Sequence, residues 1–180
     1  MGKPKRITKE DFIHAVKQQL LQEGQAKVTL KNVAEQAGVT QGALYYHFKT
    51  KDCLLLSLLI DYLENSVPQE LKPFQQLNGI EALEAYLKET EYQTHIRAEQ
   101  QQLLFDLIGL ALHNREMKQT MGQVMQQRVQ EMNELAQQSE ASGRILRALL
   151  DGLALQAIFD PGFDAKQSFE EVRRLFLDRK

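Results

Sequence analysis

The sequence predicts an all-α protein, and three observations carry that prediction. Apolar residues recur at three- and four-residue spacing along most of the chain, as in Phe12, Val16 and Leu20, or Leu55, Leu58, Leu59 and Tyr62. That is the period of a helix with a buried face. No stretch alternates β-branched and polar residues between Asn-Gly or Asp-Gly turns, the signature of paired strands. The four prolines, Pro4, Pro68, Pro73 and Pro161, fall where the helical period is already broken. With 180 residues, 43% of them hydrophobic and 26% charged, the chain can build one compact unit or two small ones sharing a core, which excludes a disordered protein. Apolar runs such as residues 107–112 fall far short of the roughly 18 needed to cross a bilayer, so no membrane partner is expected. The basic N-terminus precedes no apolar run. Cys53 is the single cysteine, which excludes an intrachain disulfide and a cysteine-based zinc site, and a reducing cytoplasm is the expected setting.

Taken in order, the helices announce themselves by their starts. Thr8, Thr29, Thr40 and Thr50 each stand just before an apolar-periodic run, where a hydroxyl can accept a hydrogen bond from a free helix N–H. Asp11, three residues after Thr8, makes a variant of the capping box. These signals predict helices over 9–23, 30–37, 41–48 and 51–66, then a proline-containing link through 76. Periodicity predicts further helices over 79–94, 96–112, 115–138, 142–159 and 165–177. The chain divides accordingly into a three-helix N-terminal domain, 1–51, and a helical C-terminal domain, 52–180.

Charge separates the same two parts. Residues 1–51 hold nine basic and four acidic side chains of the totals of 22 and 24, leaving the rest with 13 and 20, so a head of net +5 precedes a body of net −7. A basic head suits double-stranded DNA, although charge alone would favour a helical module merely decorated with solvated lysines.

The segment 29–51, TLKNVAEQAGVTQGALYYHFKTK, decides between them. Ala34 is small where one helix passes close to the next, Gly38 can take the left-handed conformation that ends the first, and Val33, Val39 and Leu44 supply an apolar clasp. This is a helix-turn-helix, whose second helix lies in the major groove with its N-terminal residues at the base edges. Thr40, Gln41 and Gly42 occupy those places. Glutamine can bond adenine N6 and N7 as a pair, and threonine offers a methyl and a hydroxyl. Tyr45 one turn on, Lys31 on the preceding helix, and Thr29, His47, Lys49 and Lys51 are candidate sugar–phosphate contacts. The arm holding Lys3, Lys5 and Arg6 suits a minor groove as well as a loose terminus.

The run Gly38-Val39-Thr40 with Gly42, then Leu44-Tyr45-Tyr46-His47-Phe48, Lys49, Lys51 and a leucine-rich helix from Leu54, resembles the DNA-binding domain of the TetR family of bacterial transcriptional regulators. Residues 148–164, ALLDGLALQAIFDPGFD, resemble the penultimate helix and following turn of that family's regulatory domain. The resemblance implies a homodimer whose N-terminal helices bind an operator and whose remaining helices hold an inducer pocket and the dimer contact. It places Thr29, Lys31, Thr40, Gln41, Gly42, Tyr45, His47 and Lys51 at DNA-contacting positions. It implies a repressor released from a palindromic operator by a small-molecule inducer, with no cofactor.

In the body, residues 103–112 are apolar nearly all round, the mark of a central helix. Met117, Met121, Met125 and Met132 follow at helical spacing, and flexible thioethers suit either an adaptable pocket wall or plain core. With Tyr86, Tyr92, Leu104, Phe105, Ile108 and Phe159, the first three of these methionines form the candidate ligand pocket. The helix over 142–159 is apolar on too much of its surface to be covered from one side. Leu149, Gly152 and Leu153, with Phe169, Val172 and Phe176 from the last helix, form the candidate dimer interface. His95 between Glu91 and Glu99, and His113 near Glu116, are the only hints of catalysis or metal binding. Neither is joined by a phosphate loop, a nucleophile elbow or a second histidine at ligand spacing, so no enzyme and no metal are expected. A DNA-binding regulator whose body takes a protein partner, or serves only to dimerise, stays open as the alternative.

Overall fold

The structure, a computed structural model, describes residues 7–66, 71–74, 76–77, 79–96, 98–137 and 140–177. Among these it forms nine α-helices and no strand. They are α1 (Lys9–Glu23), α2 (Leu30–Gln36), α3 (Gln41–His47), α4 (Lys51–Asp61), α5 (Gly79–Ile96), α6 (Ala98–Ala111), α7 (Arg115–Ala136), α8 (Glu140–Phe159) and α9 (Ala165–Leu177). A 3-10 turn, Gln25–Lys27, separates α1 from α2, and α4 widens into a π-helical stretch over Tyr62–Ser66.

The four threonine caps form as the sequence predicts. Thr8, Thr29, Thr40 and Thr50 accept from the amides of Asp11, Asn32, Ala43 and Cys53. Asp11 reciprocates by accepting from the Thr8 amide at 2.9 Å, which completes the capping box. Asn114 caps α7 in the same way, through the Met117 amide. Gly38 takes φ +71°, the left-handed value that lets α2 stop and α3 begin. Gln137 ends α7 at φ +50° without being glycine.

Two apolar clusters hold the helices together; the first has members on both sides of residue 51, and the second lies wholly beyond it. The first joins Phe12, Val16 and Leu20 of α1, Val33 and Ala34 of α2 and Leu44 of α3 to Leu54, Leu55, Leu58 and Leu59 of α4. It continues through Leu103, Leu104 and Leu107 of α6 to Met117, Met121 and Val124 of α7. The second gathers Leu83, Tyr86 and Leu87 of α5, Met132 and Leu135 of α7, Leu146 and Leu150 of α8, and Phe169, Val172 and Phe176 of α9. Helix α7 therefore runs through both.

Buried charge lies next to the second cluster. Arg128 of α7 and Arg147 of α8 are almost wholly enclosed. Arg147 donates to Asp151 Oδ1 at 2.7 and 3.1 Å and to the Tyr86 hydroxyl at 2.9 Å, and Arg128 approaches the same carboxylate at 3.7 Å. Guanidinium groups out of water need such partners to hold their charge. Helices α7 and α8 also approach closely at Gly143, where a Cβ would stand 1.7 Å from Asn133 Oδ1.

Candidate nucleic-acid interface

Helix α3 owes its orientation to two residues. Leu44 and Phe48 are buried in the first cluster, with the Phe12 and Phe48 rings edge to face at 6.2 Å. The turn is fixed by backbone bonds, Gly38 N to Glu35 O at 3.0 Å and Val39 N to Ala34 O at 2.9 Å. With that side of α3 anchored, Gln41, Gly42, Tyr45 and Tyr46 face water together at the start and middle of the helix. Tyr46 is 81% exposed and Tyr45 43%. Gly42 keeps the surface flat between Gln41 and the tyrosines, since a Cβ there meets only Thr40 Oγ1, at 3.9 Å.

The other DNA-side candidates differ in how free they are. Thr29 and Thr40 spend one oxygen lone pair on their caps and stay exposed. Lys31 pairs with Glu35 at 3.8 Å across an exposed helix turn, a contact weak enough to yield to a phosphate. Lys49 is exposed. His47 rests its ring on Phe12 at 5.4 Å and edge-on to Tyr46 at 5.3 Å, so part of its side chain is packing. Lys51 is half-buried and donates from Nζ to Gln25 O at 3.0 Å, tying the start of α4 to the turn between α1 and α2. Lys9 stands over the Phe48 ring at 5.5 Å. The arm with Lys3, Lys5 and Arg6 lies outside the described residues.

Tyr46 is an exposed aromatic that the sequence pattern alone does not single out as a contact. A signal for it exists, because it stands one helical turn beyond Gly42 and so shares that residue's face. The ammonium of Lys51, in contrast, meets a carbonyl 26 residues away, which spacing cannot reveal.

The candidate pocket residues are distributed rather than gathered. Leu104, Met117 and Met121 are buried in the first cluster, and Ile108 and Met125 pack on it half-buried. Tyr86 is buried in the second, Phe105 is half-buried, and Tyr92 and Phe159 are exposed. An open groove lies between α5 and the start of α9, lined by Glu84, Lys88, Tyr92, Phe163, Lys166 and Arg173 among others, and shares only Tyr92 with that set. Glu91, on the same wall, is ion-paired with Arg173.

Of the candidate dimer residues, Phe169, Val172 and Phe176 are buried inside the protomer's own second cluster, where α9 packs on α5. Leu149, Gly152 and Leu153 are half-buried on α8. Beside them Ile145, Ala148, Leu155 and Phe159 are exposed and, with Gly152, are spaced three, four, three and four residues apart. Among the described residues no three His, Cys, Asp or Glu side chains are placed to hold a metal ion. No helix there is long and apolar enough to cross a membrane. The side chains of His95 and Glu99 lie outside the described residues.

Residues 12–58 match the family model described as bacterial regulatory proteins, tetR family. Over 52 residues the chain is 42% identical to the transcriptional regulator TtgR of Pseudomonas putida, covering 29% of this chain and 25% of that one. Over 80 residues it is 34% identical to the probable acrEF/envCD operon repressor of Escherichia coli, covering 39% and 36%. These matches thus span a quarter to about a third of the curated relatives. The fold extends further. A TetR-family structure from Streptomyces coelicolor superposes with a TM-score of 0.78 at 23% identity, over 93% of this chain and 96% of that one. The multidrug binding protein EbrR, complexed with malachite green, does so with a TM-score of 0.72 at 22% identity, over 96% and 99%.

Proposed function

Because this chain belongs to the TetR family of bacterial regulatory proteins, a family of transcriptional regulators and not of enzymes, we propose that it binds a palindromic operator as a homodimer, represses from it, and is released by a small-molecule inducer. One observation carries the DNA-binding reading. The start of α3 presents Thr40, Gln41 and Gly42 to water while Leu44 and Phe48 lock its other side into the core. A recognition helix needs that division between reading face and anchoring face. Gln41 reads a base edge, Thr40 and Tyr46 flank it, and Thr29, Lys31, Tyr45, His47 and Lys49 meet sugar and phosphate. Lys51 fixes the frame on which they stand.

For the homodimer, the strip Ile145, Ala148, Gly152, Leu155 and Phe159 of α8 supplies a seam at heptad-like spacing, with Leu149 and Leu153 at its margin. With a second copy packed there by a two-fold axis, operator binding requires the two α3 helices to meet half-sites roughly 34 Å or a multiple apart. For the inducer, the bound malachite green of EbrR is the supporting likeness. Release then requires the inducer to favour a dimer with a different spacing.

A second reading is favoured by a specific observation. Leu104, Met117, Met121 and Tyr86 fill packed clusters, as they would in a regulator whose body only dimerises or takes a protein partner. Selection of bound sequences from a random duplex pool, repeated with Gln41→Ala, tests the DNA reading. An inverted repeat whose preference relaxes in the variant is the expected result, and recovery of no common sequence by folded dimer overturns it. A shift in thermal midpoint by some compound of a broad cationic and neutral aromatic set separates the inducer-controlled form from the second reading.

A further inference from the structure

Asn114 makes two hydrogen bonds that point in different directions. Its Oδ1 accepts from the Met117 amide at 3.0 Å and so caps α7, while its Nδ2 donates to Asp52 Oδ2, in the first turn of α4, at 3.3 Å. Helices α4 and α7 thus begin side by side, and they pack together beyond that point. Two helix N-termini in one place bring two partial positive charges together, and the Asp52 carboxylate compensates both. One residue earlier, Lys51 is bonded to Gln25 O. The first turn of α4 is therefore fastened on one side to the reading head and on the other to the body.

Helices α1 and α4 also pack on the body through apolar side chains, α1 on α6 and α4 on α7. Apolar contact is non-directional and tolerates small rotations, whereas a hydrogen bond weakens quickly with angle. We infer that Asn114 is a positioning residue, which by holding Asp52 fixes the angle of the head on the body and hence the separation of the two recognition helices in the dimer. The inference rests on the dimeric, operator-binding reading above.

The test compares half-site spacing among sequences selected from a random duplex pool by the wild type, Asn114→Ser, Asn114→Asp, and the exchange D52N/N114D. Serine and aspartate are both good N-caps, so α7 keeps its start in every variant. The wild type should return one spacing. Asn114→Asp sets like charges against each other and should return several, with preference for the wild-type spacing reduced about threefold per subunit and so roughly tenfold in the dimer. Asn114→Ser should fall between. The exchange again sets a donor opposite a carboxylate and should recover the single spacing. Affinity for a duplex bearing one half-site should stay within about twofold throughout, which a merely stabilising role would not predict.

An unchanged spacing preference in Asn114→Asp overturns the inference and leaves the regulator reading standing. So does a parallel fall in half-site affinity and thermal midpoint that accounts for the whole change. Failure of the wild type to return any inverted repeat overturns the regulator reading first, and this inference with it.

Discussion

In the head, each short helix gives one face to the core and leaves the other to water. Leu44 of α3 and Phe48 just beyond it are buried, while Gln41, Gly42, Tyr45 and Tyr46 face outward. In the body, α8 buries Leu146 and Leu150 against its own protomer and still carries Ile145, Leu155 and Phe159 on its surface. The difference teaches where a functional surface can be read by subtraction. On α3, whatever the core does not claim is available to a ligand, and it is polar or aromatic. On α8 the leftover includes an apolar strip beside the exposed Arg144 and Gln156, and only the packing of the protomer decides which strip remains for a partner.

Breaking the anchoring face of the head should have the largest effect. Phe48→Ala removes a ring buried between α1 and α3 and should cost about 3–5 kcal/mol by denaturant unfolding, with specific and random DNA binding lost together. Gly143→Ala probes the body instead. Its methyl must displace Asn133 and press on Val129 O at 3.3 Å, costing about 1–3 kcal/mol while half-site affinity per folded molecule stays the same. An equal loss of DNA affinity in the folded fraction would show that the two regions are less separable than their surfaces suggest. Thr40→Ala should cost about 1 kcal/mol through its cap and should also weaken selective binding, because the cap and the side chain proposed to face the groove are one residue.

The smallest effect is expected at Asp106 of α6. Burial raises its carboxyl pKa above the ordinary 3.8, and Oδ2 is enclosed without a hydrogen-bond donor. The folded state then binds the proton more tightly than the unfolded one. Its contribution is fully favourable below the ordinary pKa and is lost as pH rises through the folded value. Asp106→Asn should therefore raise the thermal midpoint slightly at neutral pH and flatten the loss of stability with rising pH across the mildly acidic range. A lower midpoint at pH 7 would contradict this.

Much of the fold was legible because its signals are local. The four threonine caps, the turn at Gly38 and the helix over 165–177 require no knowledge of distant residues, and each stands where the sequence put it. The division of apolar residues among surfaces was not legible. Periodicity marks Met117 and Met121 as pocket wall or core and Phe169, Val172 and Phe176 as candidate dimer contacts; all five are buried within the protomer, and the pattern is silent on which neighbour they face. Phe169, Val172 and Phe176 meet α5 across about 80 residues of chain, as Arg173 meets Glu91. In the same way Lys51, expected at a phosphate, answers a carbonyl, and Asn114, which gave no sequence signal, reaches Asp52 62 residues back.

The passage of α7 through both apolar clusters bears on how such a regulator can be recombined with its relatives. A graft that joins a foreign reading head at residue 51 leaves Leu54, Leu55, Leu58 and Leu59 facing side chains selected for another partner, and Met117, Met121 and Val124 beneath them likewise. The natural seam for a chimera is a surface and not a position in the chain. It runs across the middle of α7, between Val124 and Met132, so a transplanted specificity must bring with it the inward faces of α4, α6 and the first half of α7.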